Sequence, residues 1–175
     1  MKFNENENLV IARARKIRLL LLDVDGVLTD GRLYYSAQGE ELKVFNTLDG
    51  HGLKLLGRAG LQTGVISGRK SSALERRCRD LGLDHVHLGQ DDKLEVLKEV
   101  LAQTGFSLEQ VAYAGDDLPD LPVINRSGLG ICVPNAHPDV RAAAAVETGL
   151  SGGNGAVREI CDFLLRQQGL YPEIH

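Results

Sequence analysis

The chain has no tryptophan, a single methionine, and only four phenylalanines and four tyrosines, so its core must be built from aliphatic side chains. Cysteine is scarce as well. Cys78, Cys132 and Cys161 are odd in number and lack C-x-x-C spacing, which leaves no basis for a disulfide framework and predicts reduced, structural thiols. No apolar run approaches the roughly 20 residues of a membrane span, and residues 1–18 lack the apolar stretch of a signal peptide. A soluble, cytoplasmic protein without a membrane partner is expected. Basic charge is not in excess either: 20 Lys and Arg against 24 Asp and Glu give a formal charge of -4, so the footprint of a nucleic-acid binder is missing. No repeat, low-complexity tract or linker divides the 175 residues, 43% of them hydrophobic, and one domain with a substantial core follows. The expected organisation is a polar lead-in over 1–16, a domain over 17–169 and a short tail over 170–175.

What is present begins with Leu19-Leu20-Leu21-Leu22, a run suited to a strand buried on both faces, which ends abruptly in Asp23-Val24-Asp25-Gly26-Val27-Leu28-Thr29-Asp30. Taken alone, D-x-D-G reads equally well as a strand end followed by a turn. The next segment, about 31–45, holds two β-rich runs around Gln38-Gly39, a hairpin inserted between a strand and its helix. Beyond it strands at 61–67, 84–88, 111–114 and 129–133 alternate with helices near 49–59, 71–81, 91–104, 138–144 and 155–168, with a last edge strand at 145–147. This rhythm predicts an α/β fold: a three-layer α/β/α Rossmann-like parallel sheet with a small hairpin insertion after the first strand. In such sheets ligands bind outside the carboxyl ends of the strands.

Those ends carry Asp23 and Asp25, Ser67, and Asp116 with Asp117, while Lys93 lies at the start of the helix after the fourth strand. Converging carboxylates repel each other in a partly dry site and require a cation. Oxygen donors without converging His or Cys point to Mg²⁺, and the histidines at 85, 87 and 137 have no ligand spacing. A serine hydroxyl, a lysine and helix-start amides suit the oxygens of a phosphate. Asp23 is then positioned to attack phosphorus, and Asp25, two residues along an extended chain and so on the same side, to carry the leaving group's proton. Plainer roles exist for several of these residues: Ser67 as a helix cap, Lys93 as a solvated lysine, Arg69 and Arg77 as surface charges.

Asp23-Val24-Asp25-Gly26-Val27-Leu28-Thr29, Ser67 within Ile66-Ser67-Gly68-Arg69, Lys93, and Gly115-Asp116-Asp117-Leu118-Pro119-Asp120 resemble, in order, the four motifs of the haloacid dehalogenase superfamily of phosphotransferases. The minimal hairpin, Asp49-Gly50-His51-Gly52 and the tail Gly152-Gly153-Asn154-Gly155-Ala156-Val157-Arg158-Glu159 resemble most the 3-deoxy-D-manno-octulosonate 8-phosphate phosphatase family. The resemblance implies Asp23 as the nucleophile that forms an aspartyl-phosphate, and Asp25 as general acid and then base. It implies Mg²⁺ held by Asp23, the main-chain carbonyl of Asp25 and Asp116, with Asp117 and Asp120 supporting, and a phosphoryl group bound by Ser67 and Lys93. It implies contacts to a small phosphorylated sugar acid from Asn46, Thr47, Leu48, Asp49, Gly50, Lys54, Arg69 and Arg77, and a homotetramer whose hairpins shape neighbouring sites. Lys54 stands where the family often has arginine, and His51 where it often has an aromatic residue; a lysine keeps the charge but loses the bidentate fork for a carboxylate. A phosphatase for 2-keto-3-deoxynononate 9-phosphate or an acylneuraminate phosphate shares this framework, and the alternative of another class is a regulatory protein with a receiver-like fold whose phosphorylated Asp23 is read by a partner.

Overall fold

A computed structural model describes residues 1–172 and all their side chains except those of Glu40 and Glu41. Part of the expected tail, residues 173–175, lies outside the described residues.

The four leucines of Leu19–Leu22 (β2) are completely buried, as a strand with parallel neighbours and a helical layer on each face requires. On one side lies Gln62–Ser67 (β5), with Leu19 opposite Gln62; on the other lies Val111–Gly115 (β7), with Leu19 opposite Val111. β5 is followed outward by His85–Leu88 (β6), and β7 by Leu129–Cys132 (β8) and then Val146–Glu147 (β9), all parallel. The sheet is closed on that side by Lys2–Phe3 (β1), which runs antiparallel to β9 with Phe3 opposite Val146, so the order is β1-β9-β8-β7-β2-β5-β6.

The first residues therefore differ from a free lead-in, and the strand at 146–147 is not the edge. Glu7–Ala14 (α1), capped by the Asn6 side chain on the Leu9 N–H, buries Val10 and Ala14 against the core. Two strand residues and two buried helix positions are too short a pattern to read without the edge they cover.

Thr47–Arg58 (α2) packs along Ala156–Gln167 (α7), with α1 beyond α7 and Ser72–Leu81 (α3) beside α2. Lys93–Thr104 (α4), Leu121–Ile124 (α5) and Pro138–Ala143 (α6) pack in sequence as a second layer. The core is aliphatic, and among the described residues Tyr113 is the only aromatic ring that is fully buried. Tyr34–Ser36 (β3) and Gly39–Leu42 (β4) pair only with each other, as an antiparallel hairpin between β2 and α2 that leaves Tyr35, Leu42 and Val44 exposed.

Because β2 is an interior strand, buried on both faces between β7 and β5, Leu20→Ala is expected to lower the unfolding free energy by about 2–5 kcal/mol. Urea denaturation checks this, and a loss under about 1 kcal/mol would contradict a close-packed central strand.

Candidate active site

Asp23 is the first residue beyond β2, and its N–H donates to the Ala114 carbonyl of β7 (2.8 Å), so its backbone is fixed by the sheet. The chain then leaves the strand. Residues Val24–Leu28 coil into a wide turn closed by the Thr29 N–H on the Val24 carbonyl (2.9 Å), with Gly26 at φ +106°, a conformation that favours glycine. Asp25 thus reaches the same cleft as Asp23 from the turn, not by the alternation of an extended strand. Its carboxylate meets Lys43 Nζ through Oδ1 and lies 3.7 Å from Arg69 Nε through Oδ2.

At the end of β7 the chain passes into a short helical turn, Leu118–Asp120, which returns Asp120 beneath it. Asp120 Oδ2 accepts from the N–H groups of Asp116 (2.9 Å) and Asp117 (3.1 Å), and Oδ1 accepts from Tyr113 Oη (2.6 Å) and Lys93 Nζ (2.6 Å). Asp120 is therefore a satisfied, buried brace that aims the two aspartates before it. Asp117 is exposed at the rim and accepts from the N–H of Leu118 (2.8 Å).

Ser67 ends β5. It is buried, its Oγ accepts from the Arg69 N–H (3.2 Å), and the helix cap is Ser71, so the plainer role for Ser67 does not apply. Lys93 is the first residue of α4, capped by Asp92, and is only 7% exposed; its Nζ lies 2.5 Å from Asp23 Oδ1 as well as 2.6 Å from Asp120 Oδ1. It is not a solvated lysine.

One ammonium thus faces three carboxylates, since Asp23, Asp116 and Asp120 each place an oxygen within 4.8 Å of the others. Burial raises the Asp23 pKa to about 6 against the opposing pull of Lys93. Burial, then the negative charge of Asp23, lifts Asp116 to about 8. Burial opposes the charge on Lys93, but Asp23 and Asp120 outweigh it and hold its pKa above the usual lysine value. A Cβ on Gly26 would fall 1.9 Å from Asp116 Oδ2, so the glycine is also what allows Asp116 into the cluster. Hard oxygen donors with an uncompensated negative charge fit a divalent ion such as Mg²⁺.

Asp23, Asp25, Ser67, Arg69, Lys93, Asp116, Asp117 and Asp120 line one cleft of about 370 Å³. The other expected substrate contacts do not line it. Asn46 caps α2 through the Leu48 N–H (2.9 Å) and reaches the Gly153 carbonyl (3.4 Å). Thr47, Leu48 and Lys54 are exposed on α2, and Leu48 borders a separate cavity beside Phe3 and Phe163. Asp49 is wholly buried and accepts from the Arg158 N–H at the start of α7 (2.8 Å), so it anchors two helices, and burial raises its pKa. Gly50 makes room for Arg77, whose Nη2 would lie 2.3 Å from a Cβ there and donates to the Asn46 carbonyl (3.3 Å).

Lys43 and the cleft residues Gln90 and Asp91 were not anticipated. Around Lys43 the sequence points the other way: alternation through Leu42-Lys43-Val44 reads with the leucine and valine inward, whereas the structure leaves them 61% and 59% exposed and turns Lys43, just beyond β4, to Asp25. Gln90 and Asp91, in the loop before α4, carry no pattern.

A parallel sheet with a carboxylate cluster, a buried lysine and a serine at its carboxyl ends defines a haloacid dehalogenase-like hydrolase, and the sequence profile of haloacid dehalogenase-like hydrolases matches residues 86–160. The 3-deoxy-D-manno-octulosonate 8-phosphate phosphatase of Escherichia coli K12 is 46% identical over 94% of this chain and 87% of its own, and that of Yersinia pestis 48% over 91% and 85%. The crystal structure of the Moraxella catarrhalis enzyme in complex with magnesium, phosphate and 3-deoxy-D-manno-octulosonate superposes with a TM-score of 0.91 at 42% identity, covering 94% of both chains. The cobalt-bound Haemophilus influenzae enzyme gives 0.87 at 41% identity, covering 90% of this chain and 92% of that one. The chain belongs to the 3-deoxy-D-manno-octulosonate 8-phosphate phosphatase family.

Removing the ammonium bonded to both Asp23 and Asp120 leaves buried charge unpaired, so Lys93→Met is expected to cost the metal-free protein about 3–5 kcal/mol of stability. Urea unfolding in EDTA measures it; a cost under about 1 kcal/mol would contradict the shared-lysine arrangement.

Proposed function

We propose that this protein is an Mg²⁺-dependent phosphatase that hydrolyses 3-deoxy-D-manno-octulosonate 8-phosphate to the free sugar acid and phosphate, in lipopolysaccharide precursor synthesis. The observation that carries the reading is the meeting of Asp23, Asp25, Ser67, Lys93 and Asp116 in one cleft, in a chain of this family.

In the proposed reaction Ser67 and Lys93 bind the phosphoryl oxygens, and the Lys93 contact to Oδ1 leaves the second oxygen of Asp23 free to attack phosphorus. The bond from phosphorus to the sugar oxygen breaks as Asp25 gives that oxygen a proton. Asp25 then removes a proton from a water molecule that attacks phosphorus, releasing phosphate and restoring the Asp23 carboxylate. Mg²⁺ held by Asp23, the Asp25 carbonyl and Asp116, supported by Asp120 behind them and Asp117 at the rim, would supply charge neutralisation for the transferring group. Lys43 and Arg69 steady Asp25 from the hairpin side and from the loop before α3. Arg69, together with the half-buried Asn46 and the exposed Thr47, Leu48 and Lys54, is the proposed face for the sugar acid; Asp49, Gly50 and Arg77 are its proposed scaffold.

The protein is further proposed to act in the cytoplasm as a homotetramer. Its three cysteines are free and buried, as suits a reducing compartment. The hairpin is two-stranded and carries exposed Tyr34, Tyr35, Leu42 and Val44, an apolar surface that a neighbouring subunit would cover.

Asp23→Asn is expected to lower Mg²⁺-dependent phosphate release by about 10³-fold or more with the native fold retained, as read by circular dichroism. Asp25→Asn should slow turnover by about 10²–10⁴-fold. Retained activity in either variant would overturn that residue's role. Light scattering at micromolar concentration tests the assembly, and a monomer would refute it. Initial rates with the eight-carbon and nine-carbon sugar-acid phosphates test the substrate.

A further inference from the structure

Asn135, in the loop after β8, belongs to none of the motifs that carry the chemistry, yet it spans two of the segments around the cluster. Its Nδ2 donates to the Gly26 carbonyl (2.9 Å), and its Oδ1 accepts from the Gly152 N–H (2.9 Å). Two residues on, the His137 N–H donates to the Asp116 carbonyl (2.7 Å). This one loop therefore grips the backbone immediately after Asp25 and the backbone of Asp116 itself.

The contacts around it are close. A Cβ on Gly152 would lie 1.7 Å from the Gly26 carbonyl oxygen, and a Cβ on Gly26 would lie 1.9 Å from Asp116 Oδ2. The Gly153 N–H adds a bond to the Val27 carbonyl (3.1 Å). Gly152, Gly26 and Asp116 are stacked without intervening side chains, and the Asn135 amide is the side chain that ties the first two together. The Gly26 carbonyl lies one peptide plane beyond the Asp25 carbonyl, and the two planes meet at the Gly26 Cα, so a shift of that Cα would move both the Asp25 carbonyl and the wall against which Asp116 rests.

We propose that Asn135 is a positioning residue for the metal site: by fixing the Gly26 peptide it sets the separation between the first-strand turn and Asp116, and so the affinity for Mg²⁺. This rests on the Mg²⁺-dependent reading above. Hydrogen-bonding partners behind a metal's ligands commonly change affinity by about 10–100-fold when removed, and a shift in that range is expected here.

The test is titration of the metal-free protein with Mg²⁺, followed by calorimetry and by the Mg²⁺-induced rise in melting temperature, with no substrate present. Asn135→Ala should weaken Mg²⁺ at least about tenfold, while Asn154→Ala, which removes only a bond to the Gly152 carbonyl, should leave it within about twofold. Asn135→Asp is the decisive variant if alanine prevents folding. It keeps the acceptor for Gly152 but lacks the donor to Gly26, and its added negative charge would by itself tighten a cation. Weaker Mg²⁺ binding by Asn135→Asp supports the proposal; equal or tighter binding overturns it, as would equal losses in Asn135→Ala and Asn154→Ala. Wild-type protein that binds no Mg²⁺ would instead refute the underlying metal-dependent reading.

Discussion

The ammonium of Lys93, shared between Asp23 and Asp120, is the interaction on which the site depends. The parallel sheet brings carboxylates together from β2 and β7, and in a partly dry cleft their mutual repulsion is not screened by water. One buried cation offsets part of that repulsion. It cannot reach all of it, and the remainder is visible in Asp116, whose carboxyl is driven to about 8 chiefly by burial and then by its neighbour Asp23. A site left electronegative in this way is completed by a divalent cation. Compensating every charge with protein groups would have made it more stable and unable to bind one.

Four aspartates of identical chemistry receive different work from their surroundings. Asp120 is saturated by four donors and acts as framework. Asp116 rests in the space that Gly26 leaves and waits for charge. Asp23 lines the cleft with one oxygen engaged by Lys93, whereas Asp25, on the turn, faces Lys43 and Arg69, which belong to the hairpin region and the loop before α3. Rigidity underlies this division. β2 is buried on both faces and hydrogen-bonded to neighbours on both sides, so Asp23 inherits a fixed origin from four leucines.

The alternation of apolar runs and helical stripes made the layered fold legible, and the strand-end rule brought Asp23, Ser67, Lys93 and Asp116 to one place before any distance was known. What stayed hidden has physical reasons. The antiparallel edge depends on two residues, Lys2 and Phe3, whose strand exists only because β9 lies beside them. The route of Asp25 into the cleft depends on a positive φ at Gly26 that extended-chain geometry does not contain. The family resemblance marks Asp49 of α2 as a substrate contact, but its carboxylate is wholly buried against the start of α7, a tertiary contact more than a hundred residues away that no local pattern encodes. Lys43 is hidden too: Leu42 and Val44 beside it are the apolar pair, yet they face outward and the lysine meets Asp25.

The division of labour among the aspartates is tested most directly by trapping the covalent intermediate. Protein quenched during Mg²⁺-supported turnover of 3-deoxy-D-manno-octulosonate 8-phosphate would be reduced with borohydride, which converts an aspartyl-phosphate to homoserine, and mapped by peptide mass spectrometry. Homoserine at position 23 alone is the expected result. Ongoing turnover with no reduced residue, or with reduction at Asp25 or Asp116 in place of Asp23, would contradict the account.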